Sequence, residues 1–448
     1  MNPKVVFAAP SAYVLSGLAT WLDYLIPGLV QSGWDARLLL VSGRHHHQPT
    51  RYLSVHPGAR VLVAHCQTET AAGRRRALQE VLAKVQPDIA VSVNIPDLFP
   101  AANQLRADRQ WNGRLAMSVH GIERFLFADM QAYSKCLDGT ICTNRLACEL
   151  ADRLGTIPTE RILYAPCGAD STPEAALRPP TDRLRIAYSG RLEGPQKRSR
   201  DLIFLVRSLD SLGVPFLLDI AGDGPEMPAL EQALTSEKAS GAVVFRGRVA
   251  PEVLRDDVYA QAHALIITSH WETGPIVAWE AMAQGVCVVS SRYVGSGRET
   301  ALVHEENAML FEIGDMQEAA LSMQLLWNSP TLRARIVNAG KDLIGSRYSI
   351  ERSVASWDAA LRRVLAMPPA PHRMLEKPPA RGRLDKWKWL SPDAAEKVRR
   401  LLPDSRRLPA ADPGGEWPHA HNAKPSDAAF WKLAQGLDRD YRLPAGQA

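Results

Sequence analysis

The sequence predicts an α/β protein with two successive doubly wound domains, each built on a parallel sheet, followed by a largely irregular C-terminal tail. Three observations lead to this prediction. The chain has 448 residues, which is more than a single hydrophobic core usually serves. Short apolar runs alternate with helical patterns over residues 1–170, as expected for βαβ units. The same alternation restarts after a polar, proline-bearing stretch at 171–183.

The first predicted domain spans residues 1–170. Buried parallel strands read as short apolar runs, and such runs occur here between stretches of helical periodicity. One helix is expected at about Gly17–Ser32, where a glycine ends the periodicity. Another opens near Asn144, with Thr143 as its expected N-cap. The strand candidates are Val5–Ala8, Ala36–Val41, Val61–Val63, Ile89–Val93, Leu115–Val119 and Gly139–Cys142.

The second predicted domain spans residues 184–349, after a linker at 171–183. Ser199 is the expected cap of its first helix, and the pattern closes with a helix at 350–366. The tail at 367–448 carries 12 of the 32 prolines and few continuous apolar runs, so most of it is expected to lack a core of its own. The strand candidates are Ile186–Gly190, Phe216–Ala221, Val243–Phe245, Ala264–Thr268 and Val286–Ser290.

Composition and charge exclude several classes of protein. The sequence has no apolar run long enough to span a bilayer, and its N-terminal apolar stretch is too short for a secretory signal. A cytoplasmic protein with reduced cysteines is therefore expected. The tail holds 15 Lys+Arg against 10 Asp+Glu, a difference equal to the whole net charge of +5. Because the rest of the chain is neutral, a nucleic-acid partner is not expected.

The tail is a candidate for contacts outside the folded domains. Two pieces, Leu384–Leu402 and Ala428–Leu437, contain aromatic residues and are candidates to fold on a protein partner. Trp387 and Trp389 stand among lysines and arginines, a composition that also suits anionic lipid at the inner face of a membrane. A segment that folds back on its own chain is the third alternative.

The stretch Thr268–Ser291, TSHWETGPIVAWEAMAQGVCVVSS, is the most informative part of the sequence. It reads as strand, loop, helix and strand, so a helix begins at the carboxyl end of a parallel strand. The amide groups and dipole at such a helix start favour an anion such as phosphate. Gly274 allows the backbone to turn and to approach a ligand closely. Glu272 and Glu280 are placed to accept hydrogen bonds from two hydroxyl-bearing parts of one ligand.

A second stretch, Ile186–Lys197 with the sequence IAYSGRLEGPQK, places two cations after another strand of the same domain. The strand ends at Gly190, and Arg191 and Lys197 follow in the loop. A guanidinium and an ammonium group that converge there would neutralise a diphosphate, both as a bound group and as a leaving group. In the alternative interpretation, both are solvated surface charges.

Three motifs in this order, GRLEGPQK, IAGDGPE and TSHWETGPIVAWEAMAQG, resemble those of nucleotide-sugar glycosyltransferases of family 4. The resemblance is strongest over about residues 184–315, continues more weakly over 1–183, and does not cover the tail. It implies the GT-B fold, in which two Rossmann-like domains face each other across a cleft. The first domain would bind the acceptor and the second the nucleotide-sugar, and the helix at 350–366 would cross back to the first domain.

The resemblance also implies a reaction. It points to a retaining, hexosyltransferase-type enzyme that needs neither a metal nor another cofactor beyond its nucleotide-sugar. The acceptor would be a saccharide or a lipid-linked hydroxyl compound in polysaccharide or glycolipid biosynthesis. The leaving diphosphate would help to deprotonate the acceptor, which agrees with the absence of an obvious nucleophile in the motifs.

Residue by residue, the resemblance implies a donor site in the second domain. Arg191 and Lys197 would bind the diphosphate. Glu280 would hold the ribose, and Glu272 would contact the transferred sugar. The backbone near the sugar and phosphates would be that of Gly190, Gly274, Ile276 and Val277.

Two matches lie in the first domain. The string SVHGIERF puts His120 at a strand end, where family members carry a histidine near the donor sugar; a structural histidine is the alternative. Gly17 resembles the family's glycine loop, with Ser16 in place of the usual first glycine. In the second domain, Thr273-Gly274-Pro275 stands where the family often has Gly-Phe-Gly. The proline removes one backbone donor, which leaves the identity of the sugar open.

No metal site is predicted. Asp438-Arg439-Asp440 spells the metal motif of the other glycosyltransferase fold but lies in the tail, and His45–His47 follows a strand in a loop. Two other classes compete with the glycosyltransferase. A catalytically inactive scaffold would act through its tail, and the intact cationic and acidic pairs argue against it. An epimerase or phosphorylase on a similar two-domain scaffold would not readily explain all three motifs.

Overall fold

The computed structural model divides the chain into two compact units. The first comprises Met1–Thr143, Cys148–Ala165 and Val354–Phe430, and the second comprises Asn144–Ala147, Pro166–Ser353 and Trp431–Ala448. Within them, the structure describes residues 2–9, 17–42, 48–66, 68, 71–154, 157–171, 181–371, 394, 397–398, 401 and 426–439. Most of the predicted linker, most of the tail, and His45–His47 lie outside the described residues.

The first unit is built on a parallel sheet. Its described strands are β1 (Lys4–Ala9), β2 (Asp35–Val41), β3 (Val61–Ala64), β4 (Ile89–Val93), β5 (Arg114–Val119), β6 (Gly139–Cys142) and β7 (Ile162–Tyr164). The helices along this part of the chain are α1 (Gly17–Gln31), α2 (Pro49–Val55), α3 (Ala71–Val85), α4 (Leu98–Ala107), α5 (Arg124–Tyr133) and α6 (Arg145–Arg153). The strand order is β3-β2-β1-β4-β5-β6-β7. It reverses between β1 and β4, the switch point at which open α/β sheets bind ligands.

The second unit repeats this plan. Its described strands are β8 (Leu184–Ser189), β9 (Phe216–Ala221), β10 (Val243–Gly247), β11 (Ala264–Ile267), β12 (Cys287–Ser291) and β13 (Met309–Phe311). Its helices are α7 (Asp201–Ser211), α8 (Met227–Ala233), α9 (Thr235–Ala239), α10 (Pro251–Val253), α11 (Ile276–Ala283), α12 (Ser296–Glu299), α13 (Met316–Asn328) and α14 (Pro330–Leu343). The parallel order β10-β9-β8-β11-β12-β13 reverses between β8 and β11. The predicted closing helix follows as α15 (Ile350–Ala366).

Both faces of the second sheet are covered by apolar side chains. In β8, Ile186 and Tyr188 belong to one buried cluster and Ala187 to another. In β11, Ile266 belongs to the first cluster and Leu265 to the second. Because successive side chains of a strand point to opposite faces, two clusters on one sheet mean that neither face is exposed. Such strands read as continuous apolar runs, and the predicted doubly wound architecture is confirmed.

Two predicted helix caps are wrong. Helix α6 is capped by Asn144, whose Oδ1 accepts from the Leu146 amide at 2.8 Å. The Thr143 hydroxyl instead donates to the Val119 carbonyl oxygen at 3.1 Å, so it belongs to the end of the sheet. Ser199 likewise donates to the Glu193 carbonyl oxygen at 3.2 Å and holds the preceding loop. In both cases a hydroxyl near a helix start is engaged by backbone that is distant or earlier in the chain.

The described part of the tail contains helix α16 (Asp427–Arg439). In the first unit, Phe430 is buried and its ring lies 5.3 Å from that of Phe127. The piece Ala428–Leu437, considered above as one that folds on a partner, therefore forms a helix on its own chain. Trp387 and Trp389 lie outside the described residues. Among the described helices, none combines the length and the hydropathy that a bilayer crossing requires.

A buried ion pair ties several segments of the first unit together. Arg106 on α4 pairs with Asp138 just before β6, and both side chains are fully buried. Arg106 also donates to the Gly113 carbonyl oxygen at 2.8 Å. Asp138 accepts from the amides of Leu115 and Ala370, each at 2.7 Å. Each charge is thus compensated, and removal of one partner would leave the other buried and unbalanced.

Replacement of Asp138 by alanine is therefore expected to lower the free energy of unfolding by about 3–5 kcal/mol. The matched control is Asp108→Ala at the end of the same helix, where the exposed side chain bonds only the neighbouring Gln104 among described residues. It is expected to cost less than about 0.5 kcal/mol. Urea unfolding followed by circular dichroism measures both. Equal losses for the two variants would show that the buried pair contributes nothing specific.

Candidate active site

The candidate site lies at the switch point of the second sheet. The loop after β8 carries Arg191 and Lys197, and the loop after β11 carries Glu272. Two hydrogen bonds to backbone carbonyl oxygens join these loops. The His270 amide donates to the Gln196 carbonyl oxygen at 2.7 Å, and the Thr268 hydroxyl donates to the Lys197 carbonyl oxygen at 2.6 Å. The predicted cationic and acidic residues are therefore brought together at the carboxyl ends of adjacent strands.

Glu272 is buried and its carboxylate is fully engaged by polar neighbours. Oε1 accepts from the Lys197 ammonium and from the Ser269 hydroxyl, each at 2.6 Å. Oε2 accepts from the Gln196 side-chain amide at 3.4 Å. An ammonium group has three N–H donors, so pairing with Glu272 leaves Lys197 with donors for an anion. The predicted sugar-binding carboxylate and the predicted phosphate-binding cation are direct partners.

Arg191 is the exposed cation of the site, since 63% of its side chain is accessible to solvent. Its Nη2 donates to the Gln196 side-chain oxygen at 2.8 Å and lies 3.3 Å from Glu193 Oε1. The Gln196 side chain therefore connects Arg191 to Glu272. Sequence reasoning missed Gln196, because nothing in the local pattern distinguishes it from other loop residues. It also missed Ser269, whose hydroxyl meets the Glu272 carboxylate only through the turn of this loop.

Helix α11 begins where the sequence predicted an anion-binding helix start. Pro275 is its N-cap residue, and Ile276 and Val277 are its first helical residues, whose amides have no carbonyl partner one turn earlier. Gly274 has φ of +97°, a left-handed conformation that side chains with a Cβ rarely adopt. Three of the predicted backbone positions, Gly274, Ile276 and Val277, thus lie at this turn and helix start, and the conformation at the first of them favours glycine.

Glu280 lies inside α11 and is partly buried. Burial raises the pKa of its carboxyl group to about 7, so the group is divided between both protonation states at neutral pH. The nearby buried Tyr259 has its own pKa raised, mainly by burial and then by the Glu280 charge. Among the described residues, no hydrogen bond or ion pair to the Glu280 carboxylate is found. It is therefore suited to bond hydroxyl groups of a ligand.

Two glycine-bearing loops pack against each other beside Arg191. A Cβ atom on Gly222 would collide with the carbonyl oxygen of Gly190, and one on Gly224 with that of Leu192. The two glycines of the IAGDGPE motif therefore allow close packing against the loop that carries Arg191.

The predicted first-domain residues are found in the first unit. His120 follows β5, and its ring centroid lies 4.2 Å from that of Trp21 and 6.1 Å from that of Trp357. Burial lowers the pKa of His120 to about 3, so it is a neutral imidazole at physiological pH. Gly17 is the first residue of α1, and Ser16 lies outside the described residues. The aromatic contacts of His120 agree with a structural role as well as with a ligand-binding one.

No group of three or more potential metal ligands is found in the part of the chain that the structure describes. Asp438 of the tail motif is buried, and its Oδ1 accepts from the Arg298 amide at 2.8 Å. Asp440 and His45–His47 lie outside the described residues.

Residues 172–343 match the family model of glycosyl transferases group 1. The match covers 172 of the 448 residues and lies within the second unit. The chain is 25% identical to a glycogen synthase of Mycobacterium tuberculosis over 239 residues, 53% of this chain and 55% of that protein. It is 27% identical to the lipopolysaccharide core biosynthesis glycosyltransferase LpsD of Rhizobium meliloti over 178 residues, 39% of this chain and 48% of that one. The chain therefore spans about half the length of these relatives.

Solved structures of similar fold cover about four fifths of the chain. The structure of Anabaena HepE in complex with UDP-glucose superposes with a TM-score of 0.64 at 17% identity, covering 80% of this chain and 99% of that one. A sucrose-phosphate synthase from Thermosynechococcus elongatus gives a TM-score of 0.65 at 18% identity, covering 81% and 99%. Together with the two parallel sheets, these likenesses confirm the GT-B fold class predicted from the sequence.

The raised pKa of Glu280 predicts a pH-dependent stability. Between the ordinary glutamate pKa of 4.5 and the folded-state value of about 7, the folded protein holds a proton that the unfolded chain has lost. Stability must then fall as pH rises through this window. The free energy of unfolding of wild type, relative to Glu280→Gln, is expected to decrease by at most about 3 kcal/mol from pH 4.5 to pH 7.5. Urea unfolding at a series of pH values measures this difference, and a difference that does not vary with pH would contradict a raised pKa.

Proposed function

We propose that this protein is a retaining, metal-independent glycosyltransferase of family 4. It moves a hexose from a nucleoside-diphosphate sugar to a hydroxyl acceptor. The observation that carries the proposal is the cluster at the switch point of the second sheet. There, Gln196 bonds both Arg191 and the carboxylate of Glu272, which is itself paired with Lys197. The match to the group 1 family over residues 172–343 independently supports glycosyl transfer as the reaction.

Each residue has a defined task in the proposed complex. The ammonium of Lys197 and the exposed guanidinium of Arg191 hold the diphosphate, since both are donors to phosphate oxygens. The amides at the start of α11 point toward the same anion. Glu280 bonds the ribose hydroxyl groups. Glu272 accepts hydrogen bonds from the hydroxyl groups of the sugar, on the side where Lys197 lies.

The proposed reaction exchanges one bond at the anomeric carbon for another. The bond from that carbon to the diphosphate oxygen breaks, and a bond to the acceptor oxygen forms on the same face of the ring. The acceptor's proton passes to the departing diphosphate. Arg191 and Lys197 stabilise the negative charge that develops on the leaving group. His120, neutral because burial lowers its pKa, would bond the sugar without adding charge.

The acceptor and the location are proposed from the relatives. Those relatives include a glycogen synthase and a lipopolysaccharide core glycosyltransferase, which supports a saccharide or lipid-linked acceptor. A UDP-sugar is the first donor to test, because a solved structure of similar fold binds UDP-glucose. We place the protein in the cytoplasm, at the inner face of the membrane where the acceptor is lipid-linked, with the tail at 367–448 as its contact.

A thermal-shift panel of UDP, GDP and ADP and their glucose, galactose and mannose conjugates tests the donor site. EDTA is present throughout, so any binding is independent of a divalent metal. The nucleotides of one base are expected to stabilise wild type by about 2.7 kcal/mol when their concentration is one hundred times the dissociation constant. Glu280→Ala and Arg191→Ala are expected to abolish most of that shift.

Arg207→Ala is the matched control, because Arg207 is an exposed arginine on α7 of the same unit. It should leave the shift unchanged. Stabilisation by no nucleotide at all would favour the inactive scaffold. A shift that appears only when magnesium replaces EDTA would overturn metal independence while leaving the nucleotide site intact.

A further inference from the structure

Helix α16 places a tryptophan beside the loop that carries Glu272. The Trp431 ring centroid lies 4.8 Å from that of Trp271, with the two planes tilted by 50°. It also stacks on His270, with centroids 5.9 Å apart and planes 21° apart. All three residues belong to the second unit. Trp271 is the residue immediately before Glu272, so the contact lies next to the proposed sugar-binding carboxylate.

The same face of α16 has a second anchor. Asp438 is 1% exposed, and its Oδ1 accepts from the Arg298 amide in α12 at 2.8 Å. Ala434, between the two anchors, is fully buried. Positions separated by three, four and seven residues lie on one side of an α-helix. Trp431, Ala434 and Asp438 therefore form one contact face, and the helix is fixed at both ends of it.

The ring contact is connected to the carboxylate through Gln196. The His270 amide donates to the Gln196 carbonyl oxygen at 2.7 Å. The Gln196 side-chain amide donates in turn to the Trp271 carbonyl oxygen at 3.2 Å and to Glu272 Oε2 at 3.4 Å. Trp431 therefore covers His270 and Trp271, which are the two residues whose backbone groups bond Gln196. A movement of His270 or Trp271 would displace both Gln196 and Glu272.

We propose that Trp431 is a positioning residue of the active site, supplied by the tail helix to hold the Glu272 loop. This proposal rests on the proposed function, because it assigns Glu272 to the sugar. Nucleotide binding and the reaction of the sugar would then depend differently on the Trp431 ring. The nucleotide is held by Glu280 on α11 as well as by Arg191 and Lys197, which contact the covered loop through Gln196 and Glu272. The sugar depends directly on Glu272 in that loop. Loss of the ring should therefore impair the reaction of the sugar far more than the binding of the nucleotide.

The test compares Trp431→Ala, Trp431→Phe and Lys432→Ala, the last being an exposed position on the same helix. Two quantities are measured: the dissociation constant of UDP, and the rate at which UDP-glucose is hydrolysed in the absence of an acceptor. If another nucleotide stabilises wild type in the thermal-shift panel, it and its sugar conjugate replace these probes. Because a displacement of about 1 Å can slow catalysis about a hundredfold, Trp431→Ala should reduce hydrolysis at least about tenfold. It should lower nucleotide affinity by a much smaller factor than the rate, because Glu280 on α11 lies outside the covered loop. Trp431→Phe should restore most of the rate, and Lys432→Ala should match wild type.

Three outcomes would overturn the proposal in different ways. Wild-type hydrolysis by Trp431→Ala would show that the ring does not position the loop. Equal losses of nucleotide affinity and rate, without rescue by phenylalanine, would show a general structural role instead. Failure of wild type to bind any nucleotide or nucleotide-sugar would remove the proposed function, and this inference with it. If Trp431→Ala does not fold, Trp431→Leu keeps apolar volume without a ring and makes the same comparison.

Discussion

The ion pair between Lys197 and Glu272 is the interaction on which the candidate site depends. It joins the loops that follow two adjacent strands of the second sheet, β8 and β11. A carboxylate as buried as that of Glu272 is costly unless it is paired and hydrogen-bonded, and here a lysine, a serine and a glutamine satisfy it. The pair therefore fixes the relative position of the two loops. Because its charges are satisfied, a polar cluster can be retained at the ends of otherwise apolar strands.

The topology explains why the charges meet at this point. Parallel strands deliver all their carboxyl ends to one edge of the sheet, and the reversal of strand order opens a crevice between the two central connections. The loops after β8 and β11 flank that crevice. Close packing between Gly190 and Gly222 then supports the first loop, because no side chain intervenes there. The apolar sheet and the polar site are thus consequences of one arrangement of strands.

Much of this arrangement can be predicted from the sequence. The parts that cannot be predicted have two causes: some strands are too short to show a pattern, and some residues are engaged by partners elsewhere in the chain. Strands buried on both faces appear as apolar runs, so most were located to within one or two residues. The short edge strands β7 and β13 were not, because three residues carry too little pattern. Glu272 and Glu280 can be recognised from their motif. The role of Gln196, in contrast, depends on contacts with residues about 75 positions later in the chain. The caps at Thr143 and Ser199 failed for the same reason, since a local preference was overridden by tertiary partners.

The position of helix α16 in the sequence affects when the site can form during synthesis. Trp271 and Trp431 are in contact although about 160 residues separate them in sequence. Contacts between residues so far apart form late, because a long loop must close before they contribute. During synthesis, the second sheet can assemble as soon as β13 has left the ribosome. The loop that carries Glu272 acquires the Trp431 ring as a neighbour only after helix α16 has also been translated. Formation of the complete site is in this way tied to translation of the tail helix.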